Sequence, residues 1–349
     1  MTRIMRGDPD HGLRCETPTN ASTWLVLIRL TKVAVMNELR FDGRVAIVTG
    51  SGRNLGRAYA LMLASRGAKV VVNDLGVGIS DTDGNADAPA VNPAFAVVEE
   101  IRSLGGEAVV STDNIADPDA ASAIVQTAVD AFGTVDILVN NAGVVRQGPI
   151  EDMEDSWCHD LLDTQILGTV NVTRPAWKIM KAKGFGRVVN VSSGAAFGIP
   201  GMALYGAAKL AVVGLTRALS LEGAAHGIMV NVVAPYASVR GNGFGRFKAS
   251  PELADWLSPD RVAPLVALLA SDECPCTGEW FTVGGGHVAR STIAVNDGYM
   301  EHAHSAEDLL SNWNQVVGVP DDFRLEPAGA FTAARRMFEG FVPPSEPGR

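Results

Sequence analysis

Val45-Ala46-Ile47-Val48-Thr49-Gly50-Ser51-Gly52-Arg53-Asn54-Leu55-Gly56 is the stretch on which the fold turns. Its first four residues form a short continuous apolar run, as in a strand buried on both faces of a sheet. Glycines then punctuate a tight turn, and Arg57 to Arg66 reads as a helix with Ala60, Leu61 and Leu63 on its apolar side. Gly67 ends the helix, and Lys69-Val70-Val71-Val72 is the second strand.

The alternation continues outward. Ala94 to Leu104 reads as a helix stopped by Gly105-Gly106, and Ala108-Val109-Val110 as the third strand. A helix over Asp119 to Phe132 leads to strand four, Asp136 to Val139, which runs into Asn140-Asn141-Ala142-Gly143. A long helix is expected over Trp157 to Lys181, strand five over Arg187 to Val191, and a helix from Tyr205 to His226. Ile228 to Val233 and Trp280 to Val283 complete seven strands. The pattern predicts an α/β Rossmann-type fold: a doubly wound parallel sheet of order 3-2-1-4-5-6-7 with helices on both faces. Residues 37–290 form this domain. Residues 1–36 read as a poorly ordered N-terminal extension, with Met36 as a possible natural start. Residues 291–349 read as a short C-terminal extension with helical stretches over Ser305–Gly318 and Glu326–Phe341, packing on the main domain. Gly76 to Pro93 reads as a surface loop.

Bulk properties exclude several classes. The 349 residues carry a net charge of −10 and no long basic run, which argues against nucleic acid as a partner. Arg29 and Lys32 break up the apolar Trp24–Ile28 region, so neither a membrane span nor a signal peptide is expected there. Four cysteines without a C-x-x-C pair suit a reduced, cytoplasmic setting. The histidines show no metal-ligand spacing, and no metal is expected.

A glycine turn between a buried strand and a helix is an anion site, because the backbone comes close and the helix N-terminus is positive. Gly50, Arg53, Asn54, Leu55 and Gly56 are therefore candidate dinucleotide contacts. Asp74, at the end of strand two, is placed to accept hydrogen bonds from adenosine ribose hydroxyls and to repel a 2′-phosphate, which favours NAD over NADP. Arg53 pulls the other way, since it can pair with that phosphate. Asn114 and Ile115 lie where an adenine would rest. Asn141, Ala142 and Gly143 end strand four without bulk, so a cofactor can lie across the strand tips. Asn140 reads equally as a structural tie. After strand six, Pro235 and Ser238 are candidate contacts, Ser238 through its backbone.

Tyr205 and Lys209 lie four apart at the start of the last long helix and so share a face. An ammonium beside a phenol favours the phenolate, so the tyrosine pKa is expected to fall towards neutrality. Such a tyrosine passes a proton to or from an alcohol or ketone oxygen, and an upstream serine can hold that oxygen.

Together these motifs resemble the short-chain dehydrogenase/reductase family from Phe41 to Gly286. Within it, Gly56-Arg57-Ala58-Tyr59-Ala60, Asn73-Asp74-Leu75-Gly76, Thr173-Arg174-Pro175-Ala176-Trp177 and Val262-Ala263-Pro264-Leu265-Val266 look like the (3R)-hydroxyacyl-CoA dehydrogenase unit of multifunctional enzyme type 2, which also acts on 17β-hydroxysteroids. The resemblance implies an NAD-dependent alcohol dehydrogenase or ketone reductase, a small-molecule substrate and a homo-dimer or homo-tetramer formed through the long helices. It implies Tyr205 as acid/base, Lys209 as its partner and a ribose contact, a serine on the substrate oxygen, and Gln165 at the proton-relay position. Three departures stand out. Asn54 replaces the middle glycine, Gln165 replaces an Asn, and the serine is Ser192 by spacing but Ser193 by the register of strand five. Strands fix side-chain direction more rigidly than loops do, which favours Ser193. The turn after strand six replaces the family's Pro-Gly, and Arg240 to Lys248 resembles a substrate lid. The alternative to an enzyme is a nucleotide-binding sensor or assembly protein without catalysis.

Overall fold

The structure, a computed structural model, describes residues 5–6, 14–15, 38–76, 91–238, 250–293, 299 and 305–318. Contacts divide the chain into two units, Met1–Leu39 and Arg40–Arg349. In the first, Met5–Arg6 pairs antiparallel with Arg14–Cys15. The expected Glu326–Phe341 helix, the Arg240–Lys248 lid and most of the Gly76–Pro93 loop lie outside the described residues.

The second unit is built on one sheet. Its strands are β1 (Val45–Thr49), β2 (Lys69–Asn73), β3 (Glu107–Ser111), β4 (Ile137–Asn140), β5 (Gly186–Val191), β6 (Ile228–Pro235), β7 (Trp280–Gly284) and β8 (His287–Ser291). Their order is β8-β7-β6-β5-β4-β1-β2-β3. The first seven pair in parallel. The expected seven-stranded parallel sheet is thereby corrected: it has eight strands, and β8 is antiparallel to β7, with His287 opposite Gly284 and Ser291 opposite Trp280. Gly285 (φ 54°) and Gly286 (φ 77°) make the reversal possible. β8 alternates half-buried and exposed residues, so it lacks the continuous apolar run that marks the inner strands.

Side-chain alternation along the strands builds a core on each face. Ala46 and Val48 of β1 face one way, with Tyr59 and Leu63 of α1 (Asn54–Ser65), Val97 and Ile101 of α2 (Pro93–Ser103), and Val266 and Leu269 further along the chain. Val45 and Ile47 face the other way, with Ile124 and Val125 of α3 (Pro118–Phe132), and Val172, Ala176 and Met180.

The long helix expected over Trp157–Lys181 is interrupted. It comprises α4 (Asp155–Leu162), a π-helical turn over Asp163–Gly168, and α5 (Thr169–Lys183). The remaining helices are α6 (Ala203–Gly223), α7 (Pro251–Trp256), α8 (Ala263–Ala270), α9 (Ala306–Ser311) and α10 (Trp313–Val316).

At the amino ends of the strands, the fully buried Asp136 carboxylate accepts from Val45 N at 3.0 Å and pairs with Lys183. Arg44 lies 3.6 Å from it and continues to Asp272 at 2.6 Å. The guanidinium groups of Arg44 and Arg187 lie 3.7 and 4.3 Å from the centre of the Phe185 ring. Asp136→Asn leaves cations around a neutral amide at a buried junction of β1, β4 and β5. A loss of about 2 kcal/mol is expected, read as a lower urea midpoint with an unchanged slope.

Candidate active site

The glycine turn folds as its residue types require. Asn54 has φ 48°, the one positive φ outside glycine among the described residues. Asparagine tolerates this left-handed conformation better than other side chains do, so the turn survives without its middle glycine. Gly56 is needed for close approach, since a Cβ there would lie 2.2 Å from Gly50 O. Arg53, at the N-cap of α1, makes no side-chain cap, and the first turn carries no acidic residue. By contrast, α2 and α3 are capped by Asn92 and Asp117. Among the described residues no side chain caps the start of α1, and a helix N-terminus of this kind attracts an anion. This arrangement fits the pyrophosphate of a dinucleotide.

Asp74 stands beside the turn. Its two carboxylate oxygens accept from Gly52 N and Gly76 N, each at 2.9 Å, which fixes a negative charge at the carboxyl end of β2. Asn114, after β3, uses its side chain to accept from Ala116 N at 3.0 Å. Ile115 is buried against Gly168, where a Cβ would meet its Cδ1 at 2.6 Å.

The tip of β4 is tied to β1. Thr49 Oγ1 accepts from Asn141 N at 3.0 Å and from Ala142 N at 3.1 Å. The Asn141 amide donates to Thr49 O and Gly50 O, both at 2.9 Å. Asn140 is structural: its amide donates to Asn190 Oδ1 at 2.9 Å and to Thr173 Oγ1 at 3.0 Å, joining β4 to β5 and α5.

Ser193, Tyr205 and Lys209 meet at the carboxyl end of β5. Ser192 continues the strand pairing through its N–H to Val233 O at 2.7 Å, and its hydroxyl donates to Lys209 O at 2.8 Å. Ser192 is therefore committed to structure. The Ser193 hydroxyl lies near enough to the Tyr205 phenol to act on it and accepts from Ala195 N at 3.2 Å. Lys209 is buried, donates to Val191 O at 2.8 Å, and its Nζ lies 5.8 Å from the centre of the Tyr205 ring.

The expected drop in the tyrosine pKa does not occur here. Burial of the phenol pushes Tyr205 up to about 12, with the neighbouring Ser193 hydroxyl pulling the other way. Burial also pulls Lys209 down to about 7. Helical spacing brings the pair together, but both charged forms lose solvation, and the ammonium is aimed at a backbone carbonyl.

Gln165 lies in the π-helical turn, buried, with its amide donating to Val144 O at 2.5 Å. Its Oε1 is buried with no hydrogen-bond partner among the described residues. Gly143 has no side chain because Gln165 occupies that space: a Cβ would lie 2.7 Å from Oε1. Pro235 ends β6, and Ser238 N donates to Leu257 O at 2.7 Å. Tyr236, which sequence reasoning did not place in the site, is buried against Gly194. No residue pattern links positions 194 and 236, so only the fold brings them together.

Residues 44–239 match the family profile described as short chain dehydrogenase. The chain is 41% identical over 276 residues to a putative short-chain type dehydrogenase/reductase of Mycobacterium tuberculosis, covering 78% of this chain and 94% of that protein. It is 39% identical over 285 residues to the peroxisomal hydratase-dehydrogenase-epimerase of Neurospora crassa, where the match covers 80% of this chain but 31% of the larger protein. The crystal structure of a short chain dehydrogenase from Mycobacterium avium superposes with a TM-score of 0.68 at 36% identity, over 80% of this chain and 95% of the other. The Neurospora relative, like others from Dictyostelium discoideum, Mus musculus and Drosophila melanogaster, is named as a peroxisomal enzyme. This overturns the expectation of a cytoplasmic setting.

Proposed function

We propose, from the premise that the chain belongs to the short-chain dehydrogenase/reductase family and is an NAD(P)-dependent oxidoreductase acting on CH–OH and C=O groups, that it interconverts 3-hydroxyacyl-CoA or hydroxysteroid substrates and their ketones with NAD. The observation that carries this reading is the buried pair of Tyr205 and Lys209, with Nζ 5.8 Å from the ring centre and Ser193 beside the phenol, at the same sheet edge as the uncapped N-terminus of α1. The nicotinamide, when bound, supplies or accepts the hydride. The chain's residues handle the proton and the orientation. Ser193 holds the substrate oxygen, and Tyr205 exchanges a proton with it. Lys209, drawn down to about 7 by burial, gains or loses its proton near working pH and favours the phenolate when charged. Gln165 Oε1, buried and open, accepts from a water that passes the proton onward. Gly50, Arg53, Asn54, Leu55 and Gly56 hold the pyrophosphate end, with Asn114 and Ile115 beneath the adenine. Asn141, Ala142 and Gly143 lie along the strand tips, and Pro235 and Ser238 meet the nicotinamide end. Asp74, with its charge held by two backbone N–H groups, selects NAD by repelling a 2′-phosphate.

Residues 1–36, 37–290 and 291–349 serve as N-terminal extension, catalytic domain and C-terminal extension. The segment Ala203–His226 is long and apolar enough by composition to cross a membrane. It connects two neighbouring strands of the sheet, β5 and β6, and we read it as a helix of the folded domain. Its exposed Leu210 and Leu221, with Leu162 and Leu167 near α4, suit a homo-dimer or homo-tetramer joined through these helices.

The test is a substrate panel of 3-hydroxyacyl-CoAs, hydroxysteroids and terpenoid alcohols, each with NAD and NADP, followed by reduced-cofactor absorbance. At least one of the first two classes is expected to turn over, with kcat/KM about tenfold or more higher for NAD. Tight cofactor binding without turnover of any alcohol would instead identify a non-catalytic sensor.

A further inference from the structure

A line of buried polar side chains runs from α5, which follows the Gln165 turn, across two strands to α6, which carries Tyr205 and Lys209. Asn140 of β4 stands opposite Asn190 of β5. The Asn140 amide donates to Asn190 Oδ1 at 2.9 Å and to Thr173 Oγ1 of α5 at 3.0 Å. The Asn190 amide donates to Thr216 Oγ1 of α6 at 2.9 Å. Both threonines pass the bond into their own helices, Thr173 to Thr169 O at 2.6 Å and Thr216 to Val212 O at 2.8 Å. Thr169 in turn donates to Gln165 O at 2.9 Å. Asn140 Oδ1 accepts from none of the described residues, so every bond in the line runs outward from the Asn140 amide.

None of these five side chains is more than 6% exposed. Valine would fill the space of each threonine, and a hydroxyl bonded back to its own helical turn gives that helix no gain. Its burial beside Val172 and Ala176 on α5, or Val212 and Val213 on α6, is costly unless it is bonded. The line gives these hydroxyls their use. It meets α5 about two turns beyond Gln165, and α6 about two turns beyond Lys209 on the same face. We propose that Thr173 and Thr216 are positioning residues: through Asn140 and Asn190 they hold α5 and α6 in one register across the sheet, and so set Gln165 against Tyr205 and Lys209. This inference rests on the alcohol/ketone reading of the site. A displacement of about 1 Å far from the chemistry is enough to cost up to about a hundredfold in rate.

Thr216→Val keeps the shape, removes one hydroxyl and leaves the Asn190 amide without its acceptor. Thr173→Val cuts the other end, and Thr216→Ser keeps the hydroxyl. On a substrate that the panel identifies, each valine variant is expected to lower kcat by about 10-fold, with KM and NADH affinity changed by less than about twofold. Thr216→Ser is expected to recover most of the loss. Either cut uncouples the helices, so the double valine variant is expected to lose little more than one single variant. Unchanged kcat, losses that multiply in the double variant, or a serine variant as slow as valine would each overturn the proposal. A second measurement needs no substrate: NMR titration of the Lys209 ε-carbon in the cofactor-free full chain with isotope-labelled lysine. Its midpoint, about 7 in the wild type, is expected to rise in Thr216→Val, because a loosened α6 admits water to the ammonium, and to stay in place in Thr216→Ser. An unmoved midpoint would overturn the proposal. If no alcohol or ketone turns over but the midpoint moves in valine alone, the oxidoreductase reading fails while the positioning of Lys209 by Thr216 is upheld.

Discussion

Tyr205→Phe is expected to lower kcat by about a thousandfold or more, while the dissociation constant for NAD changes by less than twofold. The variant keeps the ring and loses only the phenolic oxygen beside Ser193. General acid–base transfer typically contributes about 10²- to 10⁴-fold. The candidate cofactor contacts in the glycine turn, at Asp74 and along the strand tips are untouched, so binding persists. Single-turnover kinetics and fluorescence titration of NADH measure the two quantities separately. Retained turnover would refute the assignment of Tyr205.

Lys209→Met is expected to lower turnover by at least about a hundredfold and, unusually for a buried substitution, to stabilise the cofactor-free protein at pH 7. Lys209 is buried, and its pKa falls from 10.5 to about 7. Between those values the unfolded chain holds a proton that the folded chain has lost, so stability rises with pH across that window. At pH 7 and below, the folded protein bears the full cost of a buried ammonium, a few kcal/mol at about 1.4 kcal/mol per pKa unit. Methionine removes that cost but strands Val191 O, which costs about 1–3 kcal/mol. A net gain of about 2–4 kcal/mol is left. Urea denaturation of the cofactor-free protein between pH 6.5 and 9.5 tests this. The wild type should gain stability with pH, and the variant should start higher and stay flatter. Tyr205 and Tyr236 do not confuse the reading, because both hydroxyls stay protonated below pH 10 in either state. A lysine that destabilises the empty fold has its use only when the site is filled, a familiar trade between stability and activity.

The parallel part of the sheet was legible because strands covered on both faces must be apolar throughout, as Val45–Val48 and Val70–Val72 are. The edge strand β8 was not, because one partner and one covered face demand less of its residues. The register of β5 favours Ser193 over Ser192 because Ser192 still pairs as a strand residue and its hydroxyl donates to Lys209 O. The direction of the pKa shifts was hidden, since spacing along a helix predicts proximity and says nothing about desolvation. The packing of Tyr236 against Gly194 was hidden too, because glycines stand in many loops for the sake of the turn alone.

The widened turn at Asp163–Gly168 has a consequence for ancestry. A π turn is what a one-residue insertion looks like once a helix has absorbed it. The surplus residue leaves α4 and α5 each facing the core, through Leu161 on one side and Val172, Ala176 and Met180 on the other, while it swings Gln165 onto Val144. Removing one residue there would return the segment to an ordinary helix and withdraw Gln165 from the cleft. On the proposed reading, deleting one residue from this turn is expected to lower turnover by removing the Gln165 relay, while Leu161 and Val172 stay in the core.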